Sequence, residues 1–363
     1  MRWYLVPLMG LIVSTTIGWG QAPPPKKGEA PAAADGPKVN NKTLEQWSKE
    51  FGSKDASRRE VAVRAVMFFP PEVGIRAVPG LIAELKKNTT TAHVDLSVRL
   101  NICIVLTELF RNGQKVDMKT EAEVINVVRS QLSDRQSSMR FRAIQTLAAI
   151  GQEAKIVIPD LLGLLKDQST YEIRQASAAA LSQIAWDKKA PRADVVQALF
   201  ATLGDPSVQV RIQAVRSLSI IGPTGDTNGA KNFVASLTPL ALKDPEPPVQ
   251  IWARVAILIA TKDFTEESLK PIGDLMKHDE PQVRAQAVES AGIMAKMTKG
   301  LYGPVYNRLT KDTDPSVVLM AIWALTSMDA RNAVPDLERL AADPKQHELV
   351  RKNAKEAVNI LQK

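Results

Sequence analysis

The chain has 363 residues, of which 45% are hydrophobic and 24% are charged, and this composition is ordinary for a globular protein. Aromatic residues make up only 5% of the chain, which argues against a sheet-rich fold because strands favour aromatic and β-branched residues. The net charge is +8, but it is spread along the chain and is not gathered on one stripe, so it does not favour a nucleic-acid-binding protein.

The first 22 residues predict a secretory signal peptide. Arg2 gives a short basic start, residues 5–19 are apolar, and small residues around Ala22 offer a cleavage point. The apolar run of about 15 residues is shorter than the ~20 that span a bilayer. We therefore expect cleavage after Ala22, a periplasmic or secreted location and no membrane span in the mature chain; an uncleaved anchor is the alternative.

Residues 23–42 are rich in Pro and lack apolar periodicity, which predicts a semi-extended linker. The folded domain is expected to cover residues 43–363. It starts with the pattern "TLEQWSKEF", in which Thr43 and Gln46 have the spacing of a capping box. The apolar residues of this first helix are Leu44, Trp47 and Phe51.

One pattern then recurs through the rest of the chain, as in "DPSVQVRIQAVRSLSIIG" at residues 205–222. Aligning its Val-Arg pair gives nine units separated by 33 to 41 residues. Small or apolar residues follow three, six and seven positions after the Arg, which predicts one buried face of an α-helix. The residues at this Arg position are Arg59, Arg99, Arg140, Arg174, Arg211, Gln250, Arg284, Val318 and Arg351.

A second helix is predicted before each of these, as in "IVIPDLLGLLKD" and "NAVPDLERLAAD". In four units a Pro precedes the closing Asp by eight residues. Pro is tolerated in a first helical turn. Asp ends a helix in a short turn, where its carboxylate can accept hydrogen bonds from the backbone N–H groups that follow. The unit is therefore helix A, turn, helix B. The four pairs are Pro159 and Asp167, Pro271 and Asp279, Pro304 and Asp312, and Pro335 and Asp343.

This unit resembles the HEAT-repeat family, which is related to the armadillo repeats. The resemblance rests on the Pro of helix A, the Asp of the turn and the Val-Arg of helix B, and it covers about residues 43–363. It implies an all-α fold, a right-handed α-solenoid of about nine repeats. The sequence departs from the pattern at Gln250 and Val318, at Gln136 where repeat 3 would have its Asp, and at Pro239, which is five residues before its Asp.

The resemblance also assigns a role to the recurring Asp and Arg. In HEAT proteins they form a ladder of hydrogen bonds along the stack, so they are structural and not catalytic. By this resemblance Asp205 and Arg211 are one rung. The other candidates for the ladder are Asp167, Arg174, Asp279 and Arg284.

No catalytic or metal-binding pattern is found in the sequence. His93, His278 and His347 fall in repeats 2, 7 and 9, and repeats 7 and 9 alone are about 20 Å apart because helices pack 8–10 Å apart, which is too far for metal–nitrogen bonds of about 2 Å. Cys103, between two Ile residues, is expected to be a buried hydrophobe. We therefore expect no enzyme activity, no cofactor and no metal.

The segment "GPTGDTNGAK", residues 222–231, contains Gly and Lys as phosphate-binding loops do, and Asp226 and Asn228 as calcium loops do. It matches neither motif completely. It is interpreted as a plain long connection between repeats 5 and 6.

One group of residues departs from the polar pattern of helix B. Two residues after the Arg position most repeats have a polar residue, such as Gln286, but repeat 6 has Trp252 and repeat 8 has Met320; five residues after it, repeat 8 has Trp323. The resemblance places helix B on the concave face, so these four residues form a candidate protein-binding patch. The alternative is that they pack into gaps left by the missing Arg residues of repeats 6 and 8.

The function predicted from these observations is a non-catalytic protein-binding scaffold or adaptor that acts outside the cytoplasm on an unidentified protein partner. One alternative is a nucleic-acid-binding protein like the HEAT-like DNA glycosylases, which would use Trp252 and Arg216 in the concave groove. Export and the dispersed charge make a nucleic-acid partner the weaker hypothesis. A second alternative is an enzyme like the bilin lyases that carry HEAT-like repeats, which would need a chromophore substrate in the same compartment.

Overall fold

The computed structural model describes residues 36–87, 93–187, 191–225 and 227–362. The predicted signal peptide with its cleavage point at Ala22, and the linker up to residue 35, lie outside the described residues. In the described part of the chain the only β-type pairing is an isolated bridge between Val39 and Lys42. The predicted all-α class is therefore confirmed.

The chain divides into two compact units, one up to Ala154 and one from Lys155. The described α-helices of the first unit are α1 Leu44–Lys49, α2 Ala56–Ala65, α3 Pro71–Gly74, α4 Val78–Lys87, α5 His93–Arg111, α6 Met118–Ser130 and α7 Ser137–Ile150. Those of the second unit are α8 Ile158–Leu164, α9 Tyr171–Ile184, α10 Ala193–Thr202, α11 Val208–Ile221, α12 Thr227–Lys243, α13 Pro247–Thr261, α14 Glu266–Leu275, α15 Pro281–Ile293, α16 Tyr302–Lys311, α17 Pro315–Ser327, α18 Val334–Ala342 and α19 Glu348–Leu361.

Short 3-10 turns adjoin several of these helices. They cover Glu50–Gly52, Val66–Phe68, Ile75–Ala77, Gln131–Ser133, Gly151–Val157 and Arg331–Ala333.

The helices pair as helix A and helix B throughout the described ranges, which gives the nine repeats that the sequence predicts. In each unit the B helices pack side by side in chain order, and their A helices cover one side of that layer. The B helices are α2, α5 and α7 in the first unit and α9, α11, α13, α15, α17 and α19 in the second. The A helices are α1, α4 and α6 in the first unit and α8, α10, α12, α14, α16 and α18 in the second.

The core follows the periodicity of helix B. The residue three positions after the Arg position is 0% exposed in all nine repeats, so small side chains there allow neighbouring helices to approach closely. These residues are Ala62, Ile102, Ala143, Ser177, Ala214, Ala253, Ala287, Ala321 and Ala354.

The predicted capping box at Thr43 is confirmed. The Gln46 backbone N–H donates to the Thr43 hydroxyl at 3.3 Å, and the Thr43 N–H donates to the Gln46 side chain at 2.8 Å, which completes the capping box. Trp47 is buried and its indole N–H donates to the Val39 carbonyl at 2.9 Å. Polar groups therefore satisfy the first turn of the stack while its apolar face is covered.

Two expectations about helix A are corrected. Pro271 lies inside α14 and not in its first turn, because the helix begins earlier than the Pro predicts. The second expectation is the plain connection before repeat 6; there α12 begins well before Pro239, which lies inside it. At α14 the cause is Thr265, whose hydroxyl caps the helix by accepting from the Ser268 N–H at 3.3 Å. At α12 the helix begins at Thr227, so the end of the predicted connection is helical; Asp226 lies outside the described residues.

Candidate functional site

The ladder exists, but its register differs from the prediction. Arg174 on helix B of repeat 4 binds the carboxylate of Asp205, in the turn of repeat 5, at 2.7 and 2.9 Å. Its remaining guanidinium nitrogen donates to the backbone carbonyl of Asp167 in its own turn at 3.0 Å. Arg174 therefore closes its own turn and reaches forward to the next one.

Arg211 is hydrogen-bonded to Asp205 as predicted, but through the backbone carbonyl of Asp205 and not through its carboxylate. Arg211 donates only to the backbone carbonyl of Asp205, at 3.1 Å, and approaches the carboxylate of Asp244 in the following turn at 3.9 Å. The physical reason is that the Asp205 carboxylate already accepts two donors from Arg174 and the backbone N–H of Ser207 at 2.8 Å.

The same register corrects the role of Asp279. Arg284 binds Asp312 of the next repeat at 2.8 and 2.9 Å, and donates to the backbone carbonyls of His278 and Asp279. The turn position that Asp205 holds in repeat 5 is held here by His278, whose Nδ1 accepts from the Glu280 N–H at 3.1 Å. Asp279 contributes its carbonyl to the ladder and not its carboxylate.

The first unit uses the same arrangement. Arg59 binds Asp95 at 2.7 Å, and Arg99 pairs with Asp134. Repeat 3 therefore does have its turn Asp: it is Asp134, whose carboxylate accepts from the Gln136 N–H at 2.8 Å. The alignment on Gln136 is two residues late.

The rungs keep their Asp residues ionised. Hydrogen bonds from Arg174 lower the pKa of Asp205 below its ordinary value, and this effect outweighs the burial that opposes it. At Asp312 burial raises the pKa, but the donors from Arg284 and the Asp314 N–H outweigh it and the net pKa is lowered. Charged groups fixed in this way hold repeats together and are not free to act on a substrate.

At one junction of the second unit, other polar residues stand at both the Arg position of one repeat and the turn position of the next, and the ladder is interrupted there. Between repeats 6 and 7, which we call junction 6/7, the Arg position is Gln250 and the turn position is His278. Gln250 still closes its own turn by donating to the Asp244 carbonyl at 2.7 Å. No ion pair between these two repeats is found at the ladder among the described residues.

A different set of contacts joins these repeats on the face formed by helix B. The side chain of Trp252 is 0% exposed and its indole N–H donates to Gln286 at 2.9 Å. The guanidinium of Arg216 lies 4.2 Å from the centre of the Trp252 ring and pairs with Glu289, one contact being 3.2 Å. We call these four residues the B-face clasp. It reaches from α11 across α13 to α15.

The clasp corrects the expectation that Trp252 is an exposed anchor. Its ring is covered by Arg216 and its only polar group is satisfied by Gln286, as expected for a buried Trp. The packing alternative is the one that this geometry supports for Trp252. Gln286 is half-buried and engaged in the same bond. The sequence feature that pointed to the clasp is Trp252 in repeat 6, the repeat that has Gln250 at its Arg position.

Met320 and Trp323, in contrast, are half-buried on α17. The Trp323 ring lies against Gly292 of α15 so closely that a Cβ at Gly292 would be 2.3 Å from it. The indole N–H of Trp323 makes no hydrogen bond with any described residue. The Trp323 ring is thus held against Gly292, a contact that the sequence pattern did not predict. The ring keeps an apolar edge and an indole N–H that can donate to a partner.

No group of three or more His, Cys, Asp or Glu in the described residues could hold a metal ion. Cys103 is buried, and burial raises the pKa of its thiol to about 12, so it is not a reactive thiolate at neutral pH. Arg216 and Trp252, which the glycosylase-like alternative needs, are both buried in the clasp.

None of the helices in the described ranges has the length and apolar character that crossing a membrane requires.

Comparison with known proteins finds HEAT repeats in part of the chain. Residues 78–182 match HEAT repeats. The uncharacterized phycocyanin operon protein Z of Pseudanabaena tenuis is 32% identical over 104 residues, which are 28% of this chain and 50% of that relative. The chain therefore spans about half the length of the curated relative that it matches.

Two solved structures are similar at low identity. One is an engineered protein, 22% identical with a TM-score of 0.45, where the likeness covers 60% of this chain and 96% of that one. The other is the complex of CpcE and CpcF of phycocyanin lyase from a Nostoc species, 18% identical with a TM-score of 0.42, covering 93% and 100%. At these values neither likeness bears on function.

Proposed function

Because this chain is a HEAT-repeat protein, we propose that it is a protein-binding scaffold whose contact surface is the B-helix face of repeats 7 and 8. The observation that carries the proposal is the half-buried pair Met320 and Trp323, with the Trp323 ring fixed on Gly292 and its indole N–H without a partner in the described part of the chain. A rigid aromatic ring with one free donor is typical of an anchor at a protein interface.

The rest of this surface supports the same function. The B-face clasp fixes α11, α13 and α15 relative to one another through Arg216, Trp252 and Glu289, so the neighbouring anchor is presented by a pre-organised layer. Pre-organisation lowers the entropic cost of binding. The pattern of residues 1–22 supports a site of action outside the cytoplasm.

Cross-linked capture from native extract tests this proposal. The bait pair is the wild-type chain and the double variant Met320→Ala with Trp323→Ala. A matched control is Met118→Ala with Trp186→Ala, which removes the same two residue types from other exposed places, Met118 being 87% and Trp186 39% exposed. We expect a protein that wild type and control recover and that the double variant loses by about tenfold or more, a loss of ~1.4 kcal/mol or more at an anchor.

Equal recovery by all three baits, with the far-UV CD spectra unchanged, would show that Met320 and Trp323 are packing residues. A double variant that loses its helical signal would also contradict the proposal, since the two residues would then be part of the core.

A second candidate function is a role in bilin attachment, and the observation that favours it is the relative encoded as a phycocyanin operon protein. The buried, protonated Cys103 thiol of this chain could not itself carry a bilin, so the chain would act by holding an acceptor protein or the chromophore. Incubation with a bilin and its acceptor, followed by denaturing electrophoresis, tests it: a visible absorption band that stays with the acceptor only when this chain is present would favour an enzyme.

A further inference from the structure

Junction 6/7 lacks the charged rung that joins other repeats of the second unit. Gln250 and His278 stand where Arg174 and Asp205 form a bidentate ion pair between repeats 4 and 5. Both members of the rung are replaced at once, so neither an unpaired Arg nor an unpaired Asp is left at the ladder.

The position four residues after the Arg position shows what else changes there. At the junction of repeats 4 and 5 this residue is Ala178, and its carbonyl accepts from the Ser217 hydroxyl of the next B helix at 2.8 Å, so it lies in the interface between repeats. The corresponding residue is buried and apolar in repeats 5, 7 and 8, but in repeat 6 it is Arg254. The apolar residues are Val215, Val288 and Ile322.

The helices α13 and α15 pack less closely around Arg254 than the other consecutive B helices of the second unit. Ser290 of α15 has the same position as Ser217, yet its hydroxyl donates at 2.7 Å to Ala287 of its own helix and not across the junction. Ile257, one turn after Arg254, is half-buried, while its counterpart Leu218 is fully buried. The face of α13 toward repeat 7 is therefore partly accessible, although the B-face clasp closes the other side.

Arg254 brings an uncompensated cation into this opening. It makes no hydrogen bond or ion pair with any described residue, and its Nε is out of contact with solvent without a partner. Burial lowers the pKa of its guanidinium. A partly desolvated charge without a partner is costly to stability, so the residue needs a reason beyond packing.

Carboxylates of the neighbouring turn and helix are already engaged. Asp244 accepts the Glu246 N–H at 2.9 Å and lies 3.9 Å from Arg211, and Asp274 pairs with Lys270 and Lys277. No described carboxylate pairs with Arg254, so an acid that does so would come from outside the described residues.

We propose that the opening of junction 6/7 is a binding site for an acidic peptide segment, and that a carboxylate of that segment pairs with the guanidinium of Arg254. The ligand supplies a carboxylate at a junction whose turn position is His278 and not Asp, and the Gln250 amide adds no charge that competes with Arg254. The proposal rests on the protein-binding function in that the acidic segment belongs to the bound protein.

Binding of a fluorescently labelled hexaglutamate peptide to the full chain, followed by anisotropy at low salt, tests the site. Arg254→Gln should weaken the affinity about tenfold or more, because truncating one member of a desolvated charge pair costs at least ~1.4 kcal/mol. Arg339→Gln, which removes the same charge from a side chain that is 78% exposed, should change it less than about twofold, since exposed charges contribute little. Hexaglutamine should not bind.

Three outcomes would overturn the site: hexaglutamate fails to bind the wild type, it binds Arg254→Gln as tightly as the wild type, or Arg339→Gln weakens binding as much as Arg254→Gln. The last would mean attraction by net charge alone. Met320→Ala with Trp323→Ala separates the two proposals, because it should leave hexaglutamate binding unchanged. Intact peptide binding together with failed capture experiments would sink the B-face surface and leave the Arg254 site standing.

Discussion

The junction between repeats 4 and 5 and junction 6/7 use the same pair of B-helix faces with different chemistry. The first has a bidentate ion pair between Arg174 and Asp205, a hydroxyl bond from Ser217 to the previous helix and a fully buried Ala178. The second has Gln250 in place of the Arg, no hydroxyl bond across the interface and a half-buried Arg254.

What replaces these contacts at junction 6/7 is the B-face clasp, which ties α11 to α15 through Arg216 and Glu289 over the Trp252 ring. The two junctions thus keep the repeats together on different sides. In a stack stabilised by nearest-neighbour interfaces, a junction fastened on one side only can offer its other side to a ligand without losing the fold.

The largest loss of stability is expected from breaking the ion pair at the junction of repeats 4 and 5. Arg174→Ala leaves Asp205, whose side chain is 8% exposed, without its bidentate partner, and we expect a loss of about 3 kcal/mol in the free energy of unfolding. Gln250→Ala removes one hydrogen bond to the Asp244 carbonyl, and should cost about 1 kcal/mol. Urea unfolding of both variants measures the difference; a Gln250 variant as damaged as the Arg174 variant would mean that junction 6/7 depends on its ladder after all.

A smaller effect of opposite sign is expected at the irregular junction. Arg254→Val restores the residue type of Val215 and Val288 and removes an unpaired, partly buried charge, so it should stabilise the chain by about 1 kcal/mol. The matched control is Ala178→Arg, which places the charge in the closed junction and should destabilise it by several kcal/mol, on the order of 3. A melting temperature that falls in Arg254→Val would show instead that the cation is part of the packing.

The smallest effect is on pH dependence. The folded-state pKa of Asp205 is lowered, first by its hydrogen bonds from Arg174, so the stability it contributes is present above the unfolded value of about 3.9 and is lost as the pH falls through the lower folded value. The stability difference between wild type and Asp205→Asn should therefore shrink below about pH 4, by up to roughly 1 kcal/mol. The effect of Gln250→Ala should stay constant from pH 7 to pH 3; chemical denaturation at several pH values would reveal any drift.

The recurring pattern predicted the fold closely because helix B of each repeat packs against its neighbour in the same way. Ala62, Ala143 and Ala253 recur at one offset since a larger side chain there would separate helix B from its neighbour, and the structure buries all nine such residues. The Thr43 capping box was equally predictable, since its bonds are local in sequence.

The candidate site was only partly predictable. Trp252 and Trp323 stood out in the same way, as aromatic residues at polar positions, yet one is fully buried and the other half-buried. The difference comes from residues far away in sequence, Arg216 above one ring and Gly292 beneath the other. The partner of each ladder Arg likewise had to be found one repeat further along the chain.

The sequence by itself determined the helix pairs, their number, the buried face of helix B and which repeats lack an Arg, because these depend on periodicity and on contacts within one repeat. Only the tertiary structure decided the register of the ladder, the burial of Trp252 and the isolation of Arg254. Those depend on which side chains of neighbouring repeats come within hydrogen-bond distance, and a degenerate repeat does not encode that distance in any one of its copies.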